Sequence, residues 1–155
     1  MLDEISLKIL KILQKKARIP NVEVARQVDM APSAVLERIR KLEKNGFIDG
    51  YEVRLNPEKF KRNLVAFISV ATLTRENVTG IGKRLTAIPE IQEVHHITGE
   101  DGFLVKVRVS DVAELGKFIQ DRILKIAGVS TTHTAIAMAT FKETARIPID
   151  DHDII

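Results

Sequence analysis

Apolar residues in the first 45 positions recur at helical spacing in three separate groups. The first group predicts a helix over about residues 3–16, with acidic residues in its first turn and basic residues at its end. The second predicts a short helix capped by Asn21, and the third a helix that begins near Pro32, because proline is favoured at the first helical position. Asn45 and Gly46 then end the third helix. The three stripes are Leu2, Ile5, Ile9, Leu10, Ile12 and Leu13; Val22, Val24, Ala25 and Val28; and Val35, Ile39 and Leu42.

The side of the third helix opposite its apolar stripe is small at the start and cationic further along. Phe47–Leu55 follows this helix and reads as a strand or short hairpin, so residues 1–55 predict a winged helix-turn-helix domain. Such a helix can enter the major groove of DNA while basic side chains neutralise phosphates. The alternative is a basic face that is only solvated. The predicted DNA-binding residues are Ser33, Ala34, Glu37, Arg38, Arg40 and Lys41.

The pattern changes after a polar linker at residues 56–62. It then predicts strand, helix, strand, strand, helix and strand over residues 63–145, which is typical of a ferredoxin-like βαββαβ sandwich in an α+β protein. Residues 146–155 are predicted to be a tail. The predicted strands are Leu64–Leu73, Ile91–Thr98, Phe103–Val109 and Val129–Phe141; the predicted helices run from Val78 to Ile88, closed by Pro89, and from Val112 to Ile126.

Two helices can cover only one face of this predicted sheet. In the last strand, however, His133, Ala135, Ala137 and Ala139 alternate with Thr132, Thr134, Ile136 and Met138, so both faces are apolar enough to be covered. A second copy of the chain would cover the remaining face, and we therefore expect a homodimer.

Composition narrows the class of protein. The 155 residues contain no cysteine, which excludes disulfides and thiolate metal sites. No apolar run approaches a membrane span and no signal sequence opens the chain, so a cytoplasmic protein is expected. Residues 1–62 carry 14 Lys/Arg against 9 Asp/Glu, a net charge of +5, whereas residues 63–155 carry 10 against 12, a net charge of −2. The basic half is the one with the predicted DNA-binding helix.

Two stretches resemble the Lrp/AsnC family of leucine-responsive, feast/famine transcription regulators. They are LDEISLKILKILQKKARIPNVEVARQVDMAPSAVLERIRKLEKNGFIDGYEVRLNP near the start and HITGEDGFLVKVRV later. The resemblance implies a sequence-specific regulator that binds a palindromic site on double-stranded DNA. It also implies dimers that assemble into octamers or similar rings, and a small effector, such as an amino acid, bound between subunits in the C-terminal domain.

The sequence departs from the family pattern at two positions. Ala31 stands where the family usually has a serine before the recognition helix, so the usual side-chain cap for the free N–H groups is missing, with Ser33 and Asp29 as the candidates to replace it in part. Gly102 stands where an effector-binding aspartate is expected, and Asp101 lies one residue early. The loop is either a plain turn that binds no effector or a ligand loop, in which either Asp101 reaches an ammonium group by a different turn or the effector is not a simple amino acid. In the second case the ligand residues are Gly99, Glu100, Asp101, Gly102 and Phe103, joined by Thr131, Thr132 and Thr134 from the last strand.

Nothing in the sequence predicts an active site, a metal site or a cofactor. His95 and His96 are neighbours on a predicted strand and therefore point to opposite faces. No Ser–His–Asp order, phosphate-binding glycine motif or His-rich metal motif is present. The alternative to a regulator is an enzyme similar to sirohaem decarboxylases, which share the two-domain arrangement; His95, His96 and Arg108 would then contact propionate groups.

Overall fold

The computed structural model describes residues 2–73, 77–99 and 102–150. The chain divides into two compact units, the first from Met1–Arg54 with Glu143–Ile155 and the second from Leu55–Lys142. We call them the N-terminal unit and the C-terminal unit. The chain first passes from the N-terminal unit to the C-terminal unit between Arg54 and Leu55, within one residue of the predicted end of the first domain. Residues 143–150 pack with the N-terminal unit. Within the described residues, no helix combines the length and apolar character needed to cross a membrane.

Three helices form the N-terminal unit: α1 (Glu4–Lys15), α2 (Asn21–Val28) and α3 (Pro32–Lys44). Their apolar stripes meet in one core, in which Ile9, Val24 and Val35 are completely buried. The predicted cap at Asn21 is wrong: Pro20 precedes the helix, has no side-chain acceptor, and Asn21 is already helical. The turn between α2 and α3 is tight, and Asp29 in it adopts a left-handed conformation with φ of 53°.

The strand predicted for Phe47–Leu55 is not formed. Residues 47–56 have no regular structure, and Tyr51, Val53 and Leu55 are exposed. A strand must pair its N–H and C=O groups with a neighbour, and no other described segment pairs with this one. Tyr51 holds the middle of the segment to α3 by donating a hydrogen bond from Oη to Glu43 Oε1 at 2.9 Å.

The C-terminal unit is a four-stranded antiparallel sheet with two helices, in the predicted ferredoxin-like order. The spatial order of the strands is β2-β3-β1-β4, so β1 and β3 lie in the middle. A short 3₁₀ turn at Pro57–Phe60 precedes the sheet. The elements are β1 (Leu64–Thr72), α4 (Val78–Thr86), β2 (Ile91–His96), β3 (Phe103–Val109), α5 (Val112–Phe118) and β4 (Val129–Ile136).

The second helix of this unit is not one continuous α-helix to Ile126, as predicted. α5 ends at Phe118 and a wider π turn follows over Ile119–Ile123, with Leu124 N–H donating to Ile119 O at 2.9 Å. In a regular α-helix, Phe118 and Ile123 would point about 140° apart at 100° per residue. The wider turn brings both side chains into the core.

The last strand is shorter than predicted because its partner ends. Ala66 pairs with Ile136, and Ala137 N–H donates to Val65 O at 2.9 Å as the final link. β1 begins at Leu64, only one residue beyond this link, so the residues after Met138 have no partner in β1. Met138 and Phe141 are consequently exposed and outside the sheet.

Both helices pack against the same face of the sheet. Ile81 and Leu85 of α4 and Leu115 of α5 share a core with the face that carries Ile68 and Val105. The strand register places alternate residues on the other side, which we call the open face. It carries Val65, Phe67, Ser69 and Ala71 of β1, Glu93 and His95 of β2, Leu104, Lys106 and Arg108 of β3, and Thr131, His133 and Ala135 of β4.

Candidate nucleic-acid interface and ligand loop

Most of the predicted DNA-binding residues lie on one exposed side of α3. Ser33, Glu37, Arg40 and Lys41 are exposed, and Ala34 is half-buried beside them. The apolar stripe on the other side, which includes Val35, is buried in the core. The side chains are small at the start of the helix and longer and basic towards its end, which suits a helix whose start approaches base edges closely.

Arg38 is the exception among the predicted residues. Its Nη1 lies 2.6 Å from Asp3 Oδ2 and 2.8 Å from Asp3 Oδ1, and it also donates to Ser6 Oγ at 3.1 Å. Asp3 at the same time caps α1 by accepting from Ser6 N–H at 2.8 Å. The hydrogen bond from Arg38, with those from Ser6, lowers the pKa of Asp3 to about 2. Arg38 therefore joins α3 to the start of α1 instead of extending with the other predicted side chains.

Glu37 and Lys41 form an ion pair one turn apart on the outer side of α3. Lys41 Nζ lies 2.9 Å from Glu37 Oε1, and both side chains are 69% exposed. The hydrogen bond from Lys41 lowers the pKa of Glu37. An exposed pair of this kind contributes little stability, so Lys41 can exchange this partner for a phosphate at small cost. Arg40 makes no ion pair within the described part of the chain.

The backbone N–H groups in the first turn of α3 have no side-chain cap. Ala31 is extended, with φ of −69° and ψ of 141°, and supplies no side-chain cap. Its carbonyl accepts from Ala34 and Val35, while Pro32 has no N–H to satisfy. The Ser33 N–H makes no hydrogen bond to any of the described residues. This donor points out of a helix N-terminus, where an anion is favoured.

In the predicted ligand loop, Gly102 has no room for a side chain. A Cβ there would lie 2.8 Å from Thr72 Cγ2 and 3.4 Å from Val70 O. The Gly102 N–H donates to the same carbonyl at 3.1 Å, which keeps the loop close to β1. Gly99 is left-handed, with φ of 111°. The carboxylates predicted to bind an ammonium group, Glu100 and Asp101, lie outside the described residues.

The other predicted ligand residues do not all meet. Phe103 is buried on the helix-covered face, under Gly82 and 5.3 Å from the His96 ring. Thr132 and Phe103 both pair with Val70 and therefore share that face, as does Thr134. Thr131 is on the open face, on the other side of the sheet.

A charged cluster on the open face was not identified from the sequence. Lys106 Nζ lies 3.0 Å from Glu93 Oε1, and His95 Nε2 lies 3.2 Å from Glu93 Oε2. These hydrogen bonds, with that from Lys106 the stronger, lower the pKa of Glu93. The lysine side chain is only 10% exposed, although no helix covers this face. The single Lys inside the apolar run FLVKV of β3 was the available signal.

His95 and His96 point to opposite sides of the sheet, as predicted, with His95 beside the cluster and His96 beside Phe103. Arg108 is on the same side as His95. The three residues proposed for propionate binding are therefore not brought together. No group of three or more potential metal ligands occurs within residues 2–73, 77–99 and 102–150.

Comparisons with known proteins match both units. A family model for a winged helix-turn-helix DNA-binding domain matches residues 2–49, and one for the Lrp/AsnC ligand-binding domain matches residues 65–147. Leucine-responsive regulatory proteins of Escherichia coli strain K12 and Serratia marcescens are each 38% identical over 151 residues, covering 96% of this chain and 92% of theirs.

Solved structures give the same match. A transcriptional regulator from Neisseria meningitidis, in complex with L-methionine, has a TM-score of 0.90 and 29% identity, covering 96% of this chain and 97% of its own. A feast or famine regulatory protein from M. tuberculosis, also complexed with L-methionine, has a TM-score of 0.87 and 30% identity, covering 95% of this chain and 99% of its own.

Proposed function

Because this chain belongs to the Lrp/AsnC family of DNA-binding transcription regulators, we propose that it reads a palindromic operator through α3 and responds to an amino acid in its C-terminal unit. The observation that carries the DNA-binding part is the exposed side of α3. There, small residues at the N-terminal end precede Arg40 and Lys41, whose exposed side chains can extend away from the protein surface.

In this proposal the α3 residues have different roles. Ser33 and Ala34 approach base edges, and the Ser33 N–H donates to a phosphate. Arg40 and Lys41 neutralise phosphates, and Glu37 releases Lys41 and faces the groove. Arg38 acts indirectly, by holding α3 on α1 through Asp3.

We propose that the protein works in the cytoplasm, because the DNA that it binds is there.

We propose that the active form is a homodimer, formed when two copies cover each other's open face. The support is the one-sided packing of α4 and α5, which leaves Phe67, Ala135 and Leu104 on a sheet face without a helix. A dimer also explains the palindrome, because two-fold protein symmetry matches two-fold operator symmetry. Assembly of such dimers into octamers or similar rings is what the family resemblance adds.

The proposed effector is an amino acid bound at the loop that joins β2 to β3. The two relatives solved with L-methionine support this ligand class. The Gly102 position here cannot supply the aspartate expected from the family, since Thr72 fills the space. The ammonium group would therefore pair with Glu100 or Asp101. An effector changes DNA affinity only by preferring one assembly over another.

The relatives are regulators, which favours this function over the sirohaem-decarboxylase alternative. The separation of His95 from His96 by the sheet supports the same choice. We propose no catalytic residue, and no metal or cofactor.

The test is selection from a random duplex library over a series of salt concentrations, with sequencing of the retained DNA. Arg40→Ala and Lys41→Ala should each reduce the slope of log affinity against log salt concentration by about one. Lys117→Ala, an exposed lysine on α5, serves as the matched control and should change nothing. An enriched palindrome with this pattern supports the proposal. Wild-type protein that retains no sequence at low salt would refute it.

A further inference from the structure

The segment Glu143–Asp150 follows the last strand of the C-terminal unit but packs with the N-terminal unit. Within this segment, Ile147 contacts Gln14, near the end of α1. Ile147 N–H donates to Gln14 Oε1 at 2.9 Å, and Gln14 Nε2 donates to Ile147 O at 3.1 Å. The side-chain amide thus satisfies both backbone groups of one residue, as a neighbouring strand would.

Two further contacts flank this pair of hydrogen bonds. Ile149 packs against the core of the three helices. Arg146 Nη2 lies 3.4 Å from Lys15 O, where the unpaired carbonyls at the end of a helix attract a cation. Polar, apolar and electrostatic contacts within four residues define a register for the segment on α1. It is therefore a docked element of the N-terminal unit, while residues 151–155 of the predicted tail lie outside the described residues.

This docking means that the chain crosses between the two units twice. One crossing is between Arg54 and Leu55, in the segment 47–56 that has no regular structure; the other is between Lys142 and Glu143. A unit attached through one flexible connection samples many orientations. A second attachment removes many of them, and the effective concentration of the unit at a target depends on which orientations remain.

We propose that residues 143–150 are a second tether of the DNA-binding unit, that Gln14 is the positioning residue that holds it, and that the tether sets which spacings between operator half-sites a dimer accepts. This inference rests on the proposed DNA binding and dimer. With the segment docked, the second unit of a dimer finds a half-site efficiently only at matching spacings. When the segment is released, the unit tolerates more spacings and binds each less tightly.

The experiment uses the full chain and the operator found by selection. Duplexes carry either one half-site or two, with the separation changed in single base-pair steps over one helical turn, about 10 base pairs. Gln14→Ala removes both hydrogen bonds. Gln14→Glu keeps an acceptor for Ile147 N–H and loses the donor. Gln120→Ala, an exposed glutamine in the π turn, is the matched control.

For Gln14→Ala we expect binding to one half-site to stay within about twofold, and binding at the preferred spacing to fall about 10-fold, with a flatter spacing profile. Gln14→Glu should lie between this variant and the wild type, and Gln120→Ala should match the wild type. Trypsin cleavage after Arg146, followed by mass spectrometry, should be faster in Gln14→Ala because the segment is released.

Three results would overturn the tether. Unchanged cleavage would mean that Gln14 does not hold the segment. Faster cleavage with an unchanged spacing profile would mean that docking does not restrict the unit. An equal loss on one half-site would make the segment merely a structural part of the N-terminal unit. If wild-type protein bound no DNA, the proposed function would fail instead, while the cleavage rates would still judge the docking.

Discussion

Arg38 illustrates how one residue acquires a role from its surroundings. On a helical projection it stands beside the exposed basic residues of α3, and it was predicted to contact DNA with them. In the structure, its guanidinium donates hydrogen bonds to Asp3, which caps α1. A single ion pair therefore ties together the start of one helix and the middle of another, and orients the side of α3 that faces outward.

We predict that Arg38→Ala lowers the free energy of unfolding of the N-terminal unit by about 1 kcal/mol near neutral pH, because half of the Asp3 side chain is exposed and its ion pair is partly screened. The folded-state pKa of Asp3, about 2, is below its ordinary value of 3.8. The stabilisation is therefore present above pH 4 and is lost as the pH falls towards 2. Urea unfolding of wild type and variant should show a difference at pH 3 that is about half of that at pH 6. Equal differences at the two pH values would contradict this assignment.

Gly102 is a second residue whose role depends on a neighbour. A Cβ there would lie 2.8 Å from Thr72 Cγ2, and a β-branched side chain cannot easily turn away. We predict that Gly102→Ala lowers the free energy of unfolding of the C-terminal unit by about 1 to 3 kcal/mol. The double variant Gly102→Ala with Thr72→Ala should recover much of this loss relative to Thr72→Ala alone, as measured by urea unfolding. Additive losses would rule out this contact as the cause.

At the scale of whole elements, α3 combines good packing with a poor beginning. Its buried stripe of Val35, Ile39 and Leu42 anchors the helix in the core. Its first residue, Pro32, suits a helix start, but Ala31 before it leaves the first turn without a side-chain acceptor. The same absence leaves the Ser33 N–H available for an anion, so a side-chain cap and the proposed phosphate contact would compete for this donor.

We predict that Ala31→Ser raises the free energy of unfolding by about 1 kcal/mol, because the backbone at this position is already extended and a hydroxyl can accept from Ser33 or Ala34. Ala31→Val adds an apolar side chain without an acceptor and is the control. Thermal unfolding should separate the two variants by several degrees. A serine variant no more stable than the valine variant would show that the first turn gains nothing from a cap.

At the scale of the whole molecule, the feature that bears on assembly is the sheet with helices on one face only. Two sheets of this kind exclude water from their apolar positions by packing together. The cluster of Lys106, Glu93 and His95 lies on the same face. A proposed dimer would enclose this charged group, so its hydrogen bonds must remain intact there.

We predict that Phe67→Glu converts the protein to a folded monomer, since a dimer would bury two added carboxylates whose cross-strand neighbour, Lys106, is already bound to Glu93. Leu124→Glu is the matched control, because Leu124 is 41% exposed, close to the 39% of Phe67, but belongs to the segment after the π turn. Sedimentation velocity measures the assembly, and circular dichroism checks the fold. A Phe67→Glu variant that stays dimeric would place the interface on another surface.

The sequence by itself determined the order and type of nearly all elements. The apolar positions of α1, α3 and β1 repeat at helix or strand spacing, and such periods are written in residues three, four or two apart. The exposed side of α3 and the division of His95 from His96 follow from the same local rule. The family resemblance likewise depends on short runs of residues, and the comparisons confirm it.

Only the tertiary structure decided which side chains meet. Arg38 and Asp3 are 35 residues apart, and Gln14 and Ile147 are 133 apart, so no local period predicts either contact. The strand predicted for Phe47–Leu55 was wrong because its pattern cannot supply a pairing partner. The π turn after α5 and the crowding of Gly102 by Thr72 are likewise not predicted by any local period. Each depends on the space left by neighbours that the folded chain brings together, and packing at that level is set by the whole fold.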